Sequence, residues 1–239
     1  MNLTERILCC RDGPDHGLWE FRTEKWYFVH TKALLWVGLD RAAQIAKTTG
    51  LASEEQIARW ERAAAAIRAE YHERGWSERL GAYAMAYEVD ELDAAVLRTV
   101  LFGAFNPRSP RIAATLEAVG RHLGVGDLVY RYGVEDGLQG REATFTACAF
   151  WRVGCLALAG RVSEAALLYE RLIARSNDVG LFAEEIDAVT GEQRGNVPQG
   201  FTHMAVINHA VRLARATGRI YAWATREPED SAEDTSSLK

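Results

Sequence analysis

The chain has 239 residues, 48% apolar and 26% charged, a globular balance that excludes a disordered or fibrous protein. With 28 Lys+Arg against 33 Asp+Glu, the net charge of −5 offers no basic footprint for nucleic acid. No apolar run reaches the roughly 18 residues of a membrane span and the N-terminus lacks a signal-peptide core, so no membrane partner and a cytoplasmic location are expected.

The stretch from Asp12 to His30 reads as a long loop leading into the first helix. Thr31–Lys47 is apolar nearly all round, with Ala33, Leu34, Leu35, Trp36 and Val37 in one run, which predicts a helix buried on most sides. Ser53–Arg74 differs. Ile57, Trp60, Ala64, Ile67 and Tyr71 fall at spacings of three and four, so the helix is amphipathic, and Ser53 with Gln56 forms a capping box at its start. Asp90–Leu101 is again apolar, with Asp90 and Asp93 as cap and first-turn acid. Pro110–Leu123 is amphipathic on Ile112, Leu116 and Val119. Glu142–Leu158 predicts a buried helix carrying Phe145, Cys148, Phe150 and Trp151, with Glu142 as its N-terminal charge. Ser163–Arg175 is amphipathic and Pro198–Thr217 buried. Residues 1–220 therefore form the domain. The acidic, Ser-bearing stretch 221–239 is expected to be a disordered tail.

Seven helices that alternate between buried and amphipathic are what an all-α toroid demands, with an inner ring wrapped by an outer one. An up-down bundle would make every helix amphipathic. Links from inner to outer helices are short, whereas Gly75–Val89, Gly124–Arg141 and Ser176–Val197 are long. In a toroid all the long loops lie at one end, and loops longer than about 12 residues tend to carry function. Cys9, Cys10, Cys148 and Cys155 read as buried free thiols, and no CxxC pair points to zinc. His203 and His209 are six apart and point to different helix sides, so a metal site is not expected.

The long loops gather Trp19 and Glu20, then Tyr130, Arg131, Tyr132, Glu135, Asp136, Arg141 and Glu142, then Glu184, Glu185 and Asp187. Aromatic rings can stack on sugar faces, and paired carboxylates can do acid/base work on a glycosidic bond. Acidic loop residues alone would fit a solvated charged face better.

Several spaced segments narrow the choice: Pro14-Asp15-His16-Gly17-Leu18-Trp19-Glu20-Phe21-Arg22, Phe28-Val29-His30-Thr31-Lys32, Glu184-Glu185-Ile186-Asp187, and Gly195-Asn196-Val197-Pro198-Gln199-Gly200-Phe201-Thr202-His203. In that order they resemble glycoside hydrolase family 15, the glucoamylase and trehalase-like family, from about Pro14 to Thr217. The resemblance implies an (α/α)6 barrel and an inverting hydrolase of α-glucosides that needs no cofactor. It implies Glu20 as general acid and Glu184 as general base, with Trp19, Arg131, Glu142 and Glu185 as substrate-binding residues. Burial, with Trp19 as apolar cover, would keep the acid protonated.

Two departures qualify the match. Starch-acting eukaryotic glucoamylases place a second acid after the catalytic one, where this chain has Phe21, which leans toward trehalases and oligosaccharide-acting enzymes. The family's early barrel helices, with a Trp-Arg-Asp segment, have no counterpart here. Seven helices cannot close a twelve-helix barrel, so the chain resembles the C-terminal part of one. An exposed apolar face on Thr31–Lys47 is then expected, covered by a chain supplying the missing helices or by self-association. Weak or no activity alone follows. The alternative is a non-catalytic carbohydrate-binding or inert remnant. A terpene-cyclase-like toroid would need an aspartate-rich DDxxD-type run, which is absent.

Overall fold

The computed structural model describes residues 3–134 and 142–218. The expected tail and the loop residues Glu135, Asp136 and Arg141 lie outside them. Among the described residues there are eight helices: α1 (Leu3–Cys10), α2 (Val29–Thr49), α3 (Glu54–Arg74), α4 (Val96–Leu101), α5 (Pro110–His122), α6 (Thr146–Leu158), α7 (Val162–Ile173) and α8 (Gly200–Ala216). Seven correspond to the predicted ones. The additional α1 lies across α2 at Gly38, where a Cβ would come within 2.7 Å of Ile7. It also carries Cys9 and Cys10 exposed, against expectation, while Cys148 and Cys155 are buried on α6.

Local chemistry explains the helix starts. The Ser53–Gln56 capping box opens α3, with both reciprocal hydrogen bonds made. Ser109 caps α5, with Pro110 in its first turn. Two helices start later than their apolar pattern suggests. The Arg131–Tyr132 segment pairs ahead of α4: Asp93 bridges Tyr132, and the Ala94 N–H donates to the Arg131 carbonyl at 2.8 Å before Ala94 and Ala95 turn into the helix. Asp90 is neither cap nor first-turn acid; its carboxylate takes the Ser77 hydroxyl at 2.5 Å and Arg79 at 2.8 Å. Likewise Thr144–Phe145 is a strand (β1), so α6 starts at Thr146 and Glu142 stands outside the helix.

The inner helices α2, α4, α6 and α8 touch in series, with α3 packed on α2, α5 on α6, and α7 on α6 and α8. Burial follows the predicted alternation for α6 and α7 but not for α8, which was expected to be buried and has only four buried residues of 17. Ten of the 13 residues of α6 are buried, against three of the 12 in α7. The exposed apolar face is not on α2, whose Ala33, Trp36 and Leu39 are buried in a helix flanked by α1, α3 and α4. It lies on α8, where Phe201, Met204, Ile207 and Val211 are 65%, 52%, 63% and 42% exposed. That helix ends the series and packs chiefly on α6 and α7.

The α6–α8 approach depends on Gly154, where an added Cβ would stand 2.2 Å from His209 Nδ1 and 2.8 Å from Leu101. Gly154→Ala should cost about 1–3 kcal/mol despite its better helix propensity, read as a lower urea midpoint. None of the described helices is long and apolar enough to cross a membrane.

Candidate active site

The loop before α2 is closed by backbone bonds between Asp15 and Trp26, at 2.9 and 3.0 Å. Inside it, Asp15 Oδ1 accepts the Gly17 N–H at 2.6 Å and the Thr31 hydroxyl at 2.9 Å, tying the loop to the first turn of α2. Gly17 has φ 69°, and a Cβ there would press on the Phe28 ring at 3.0 Å. Glu20 also takes a positive φ, 56°, which strains a residue with a side chain by about 1 kcal/mol or more. The turn sends Phe21 inward while Glu20 stays exposed. Phe21 packs with Phe28 and Tyr132 at centroid distances of 5.5 and 4.8 Å, beside Met85 and Ala86. Three of the long loops therefore share one small core, which places them at the same end of the helices.

Trp19 does not cover Glu20. Its indole stacks on Trp151 at 6.0 Å, meets Phe145 edge-on at 5.3 Å, and donates Nε1–H to Asp93 Oδ1 at 2.8 Å. The Arg131 guanidinium lies over the rings of Trp19, Tyr132 and Phe145, between 5.3 and 5.4 Å from their centroids. Its Nε donates to Glu142 in a half-buried ion pair.

Asp93 is a residue that sequence reasoning missed. It is 2% exposed, and burial pushes its carboxyl up to about 7, against the pull of the Ala95 N–H, the Trp19 indole and Arg131. Its place before an apolar helix makes it look like an ordinary cap. The only available signal was that a buried indole needs an acceptor, and no spacing rule points from position 19 to position 93.

Glu184 stands just ahead of strand β2 (Glu185–Ile186), which pairs with β1 and with β3 (Gln193–Arg194) in an antiparallel sheet. Its carbonyl accepts the N–H of Thr146 at the start of α6, at 3.0 Å. Its Oε2 accepts the Asn196 side chain at 2.8 Å and the Asn196 backbone N–H at 3.3 Å. Gly195, φ 74°, passes so close that a Cβ would meet Glu184 at 3.0 Å. Burial raises the neighbouring Glu185 carboxyl, with Arg131 opposing and Glu184 adding to the rise.

Trp19, Glu20, Arg131, Phe145, Trp151 and Glu184 line one cleft of about 570 Å³, which continues past Arg98, His209 and Arg212 along α8. Glu142 and Glu185 are not in its wall; both act on Arg131. His203 bonds the Gln199 carbonyl at 2.8 Å, and among the described residues no His/Cys/Asp/Glu group is arranged to hold a metal.

A sequence model of the glycosyl hydrolases family 15 matches residues 12–211. This chain belongs to that family. The trehalase of Mycolicibacterium smegmatis is 42% identical over 206 residues, which are 85% of this chain and 30% of the trehalase. A glycosidase variant solved in complex with glucose has a TM-score of 0.73 at 22% identity, over 87% of this chain and 57% of that one. A bacterial glucoamylase complexed with acarbose has a TM-score of 0.74 at 17% identity, over 90% of this chain and 37% of that one. These structural likenesses carry the fold, an (α/α)6 barrel of which the chain presents an arc. The chain spans about a third of the length of the trehalases it matches.

Proposed function

We propose that this chain carries the two-carboxylate site of an inverting α-glucoside hydrolase, with trehalose as its first candidate substrate and maltose and longer α-glucans as the others. Glu20 donates a proton to the leaving oxygen, and Glu184 takes one from the attacking water. Trp19 and Arg131 hold the sugar, with Glu142 and Glu185 orienting the guanidinium. One observation supports this best: Glu20 and Glu184, far apart in sequence, enter one cleft with Arg131 and an aromatic wall. The named trehalase relatives favour the disaccharide.

The apolar stripe of α8 supports the second part of the proposal, that further barrel helices or a second copy complete the cleft. Four large apolar side chains in one exposed stripe form a surface that proteins tend to cover. An open cleft also leaves its carboxylates in water, where preorganised groups act weakly. The isolated chain is therefore expected to turn over α-glucosides weakly or not at all. In that state it behaves as a carbohydrate-binding domain or an inert one.

The test is to offer trehalose, maltose and a longer α-glucan, and to follow the first-formed anomers by proton NMR before mutarotation. Trehalose should give α- and β-glucose in equal amounts, because only the attacked unit inverts. Two equivalents of α-glucose would exclude inversion, and rapid turnover by the isolated chain would contradict the need for further helices.

A further inference from the structure

Behind the cleft wall lies a buried acid for which the proposed reaction has no use. Asp93 sits on the stretch before α4, and its Oδ1 accepts two N–H groups: the Trp19 indole at 2.8 Å and the Ala95 backbone at 2.7 Å. The chain around it pairs with the Arg131 segment, through the Asp93–Tyr132 bridge and the 2.8 Å bond from Ala94 to the Arg131 carbonyl. One residue thus links the loop that bears Trp19 and Glu20 to the segment that bears Arg131.

The charged groups facing this carboxyl are Arg131 and its partner Glu142, with Cys148 approaching from α6. Removing a carboxyl from water is costly, and two N–H donors offset part of that cost. The indole gains a fixed plane. Held at its nitrogen by Asp93, it rests against Trp151 and Phe145, with the Arg131 guanidinium over its ring. Without the acceptor, a half-buried indole N–H would have to turn toward water and take the wall with it.

We infer that Asp93 is a positioning residue: its carboxyl fixes the Trp19 indole in the cleft wall and so pre-forms the sugar-contacting surface between the Glu20 turn and Arg131. This rests on the hydrolase reading above for what the surface binds, but not for the link itself. Asp93 would act through Trp19 and Arg131 and touch no sugar.

The test uses the whole chain in three forms: unchanged, Asp93→Asn, which keeps an acceptor of the same shape, and Asp93→Leu, which keeps bulk and removes it. The first readout is the Trp19 indole N–H resonance, assigned through Trp19→Phe. It should move with pH around neutrality in the unchanged chain, stop moving in Asp93→Asn, and lose its hydrogen-bonded position in Asp93→Leu. The second is trehalose and glucose affinity by calorimetry. It should fall about tenfold or more in Asp93→Leu and less than about threefold in Asp93→Asn, because small misplacements of contact groups are costly.

An indole resonance and affinities untouched by Asp93→Leu would overturn the inference. Should Asp93→Leu fail to fold, an indole resonance that stays at the unchanged chain's position in Asp93→Asn would overturn it just as well. Should the unchanged chain bind no sugar, which the hydrolase reading allows for an incomplete cleft, the indole resonance alone decides the Asp93 link.

Discussion

Glu184→Gln should lower trehalose or maltose turnover by about 10²–10⁴-fold in any preparation that hydrolyses them, and Glu20→Gln should do the same. Each amide matches its carboxylate in size but can neither take the proton from water nor hand one to the leaving oxygen. A second substrate separates the two roles. α-Glucosyl fluoride has a leaving group that departs without full protonation, so Glu20→Gln should retain much of its hydrolysis. Glu184→Gln should lose it, because the water still needs a base. Unchanged turnover of the disaccharide in either variant would remove that residue from the site. Equal loss of fluoride hydrolysis in both would mean that the roles are assigned wrongly. Glu184→Gln should also fold normally, since an amide oxygen still accepts from the Asn196 backbone and side chain.

The second large effect is loss of stability in acid. His30 and His209 are buried, 3% and 2% exposed, and burial lowers both imidazoles to about 3, with Arg98 adding for His30 and Arg212 for His209. Both rings stay neutral in the fold while the unfolded chain protonates them near 6.5. Stability is therefore full above about pH 6.5 and falls as pH drops toward 3. By pH 4.5 each histidine should have cost about 3 kcal/mol, from two pH units at 1.36 kcal/mol each. Asp93 works the other way. Its folded value of about 7 lies above its unfolded one, so it adds stability as pH falls from 7 toward 4. Two histidines outweigh one aspartate, and the net slope favours neutral pH. Urea unfolding at pH 7 and pH 4.5 should show the drop, and His30→Gln with His209→Gln should flatten it. A double variant as acid-labile as the unchanged chain would refute this account.

His209 and Gly154 belong to the same contact. The absent side chain at 154 makes room for the His209 ring, and Arg212 beside it donates to the Leu101 carbonyl at 3.1 Å. Gly154→Ala and His209→Gln are therefore not independent, and their effects on stability should not add.

Apolar periodicity was enough to give seven of the eight described helices and to tell buried α6 from half-buried α7, but it misplaced α8, whose apolar residues face solvent. α1 escaped because eight residues give barely two turns of pattern. Motif order also marked Glu20, Glu184 and Arg131 for one cleft. What sequence could not carry was anything that depends on a distant backbone. The Arg131–Tyr132 segment pairs with Asp93 and Ala94 and delays α4. The pairing of Thr144 and Phe145 with Ile186 and Glu185 delays α6 and takes Glu142 out of its helix. The apolar run on α2 looked exposable, yet α1, α3 and α4 flank it, while α8, at the end of the series, presents its apolar stripe to solvent. Asp93 is the clearest case. Its residue type and position describe a helix cap, and only the fold delivers the indole from 74 residues away that turns it into an anchor. Local propensity and burial period are properties of a segment, whereas the partner of a buried polar group is a property of the assembled chain.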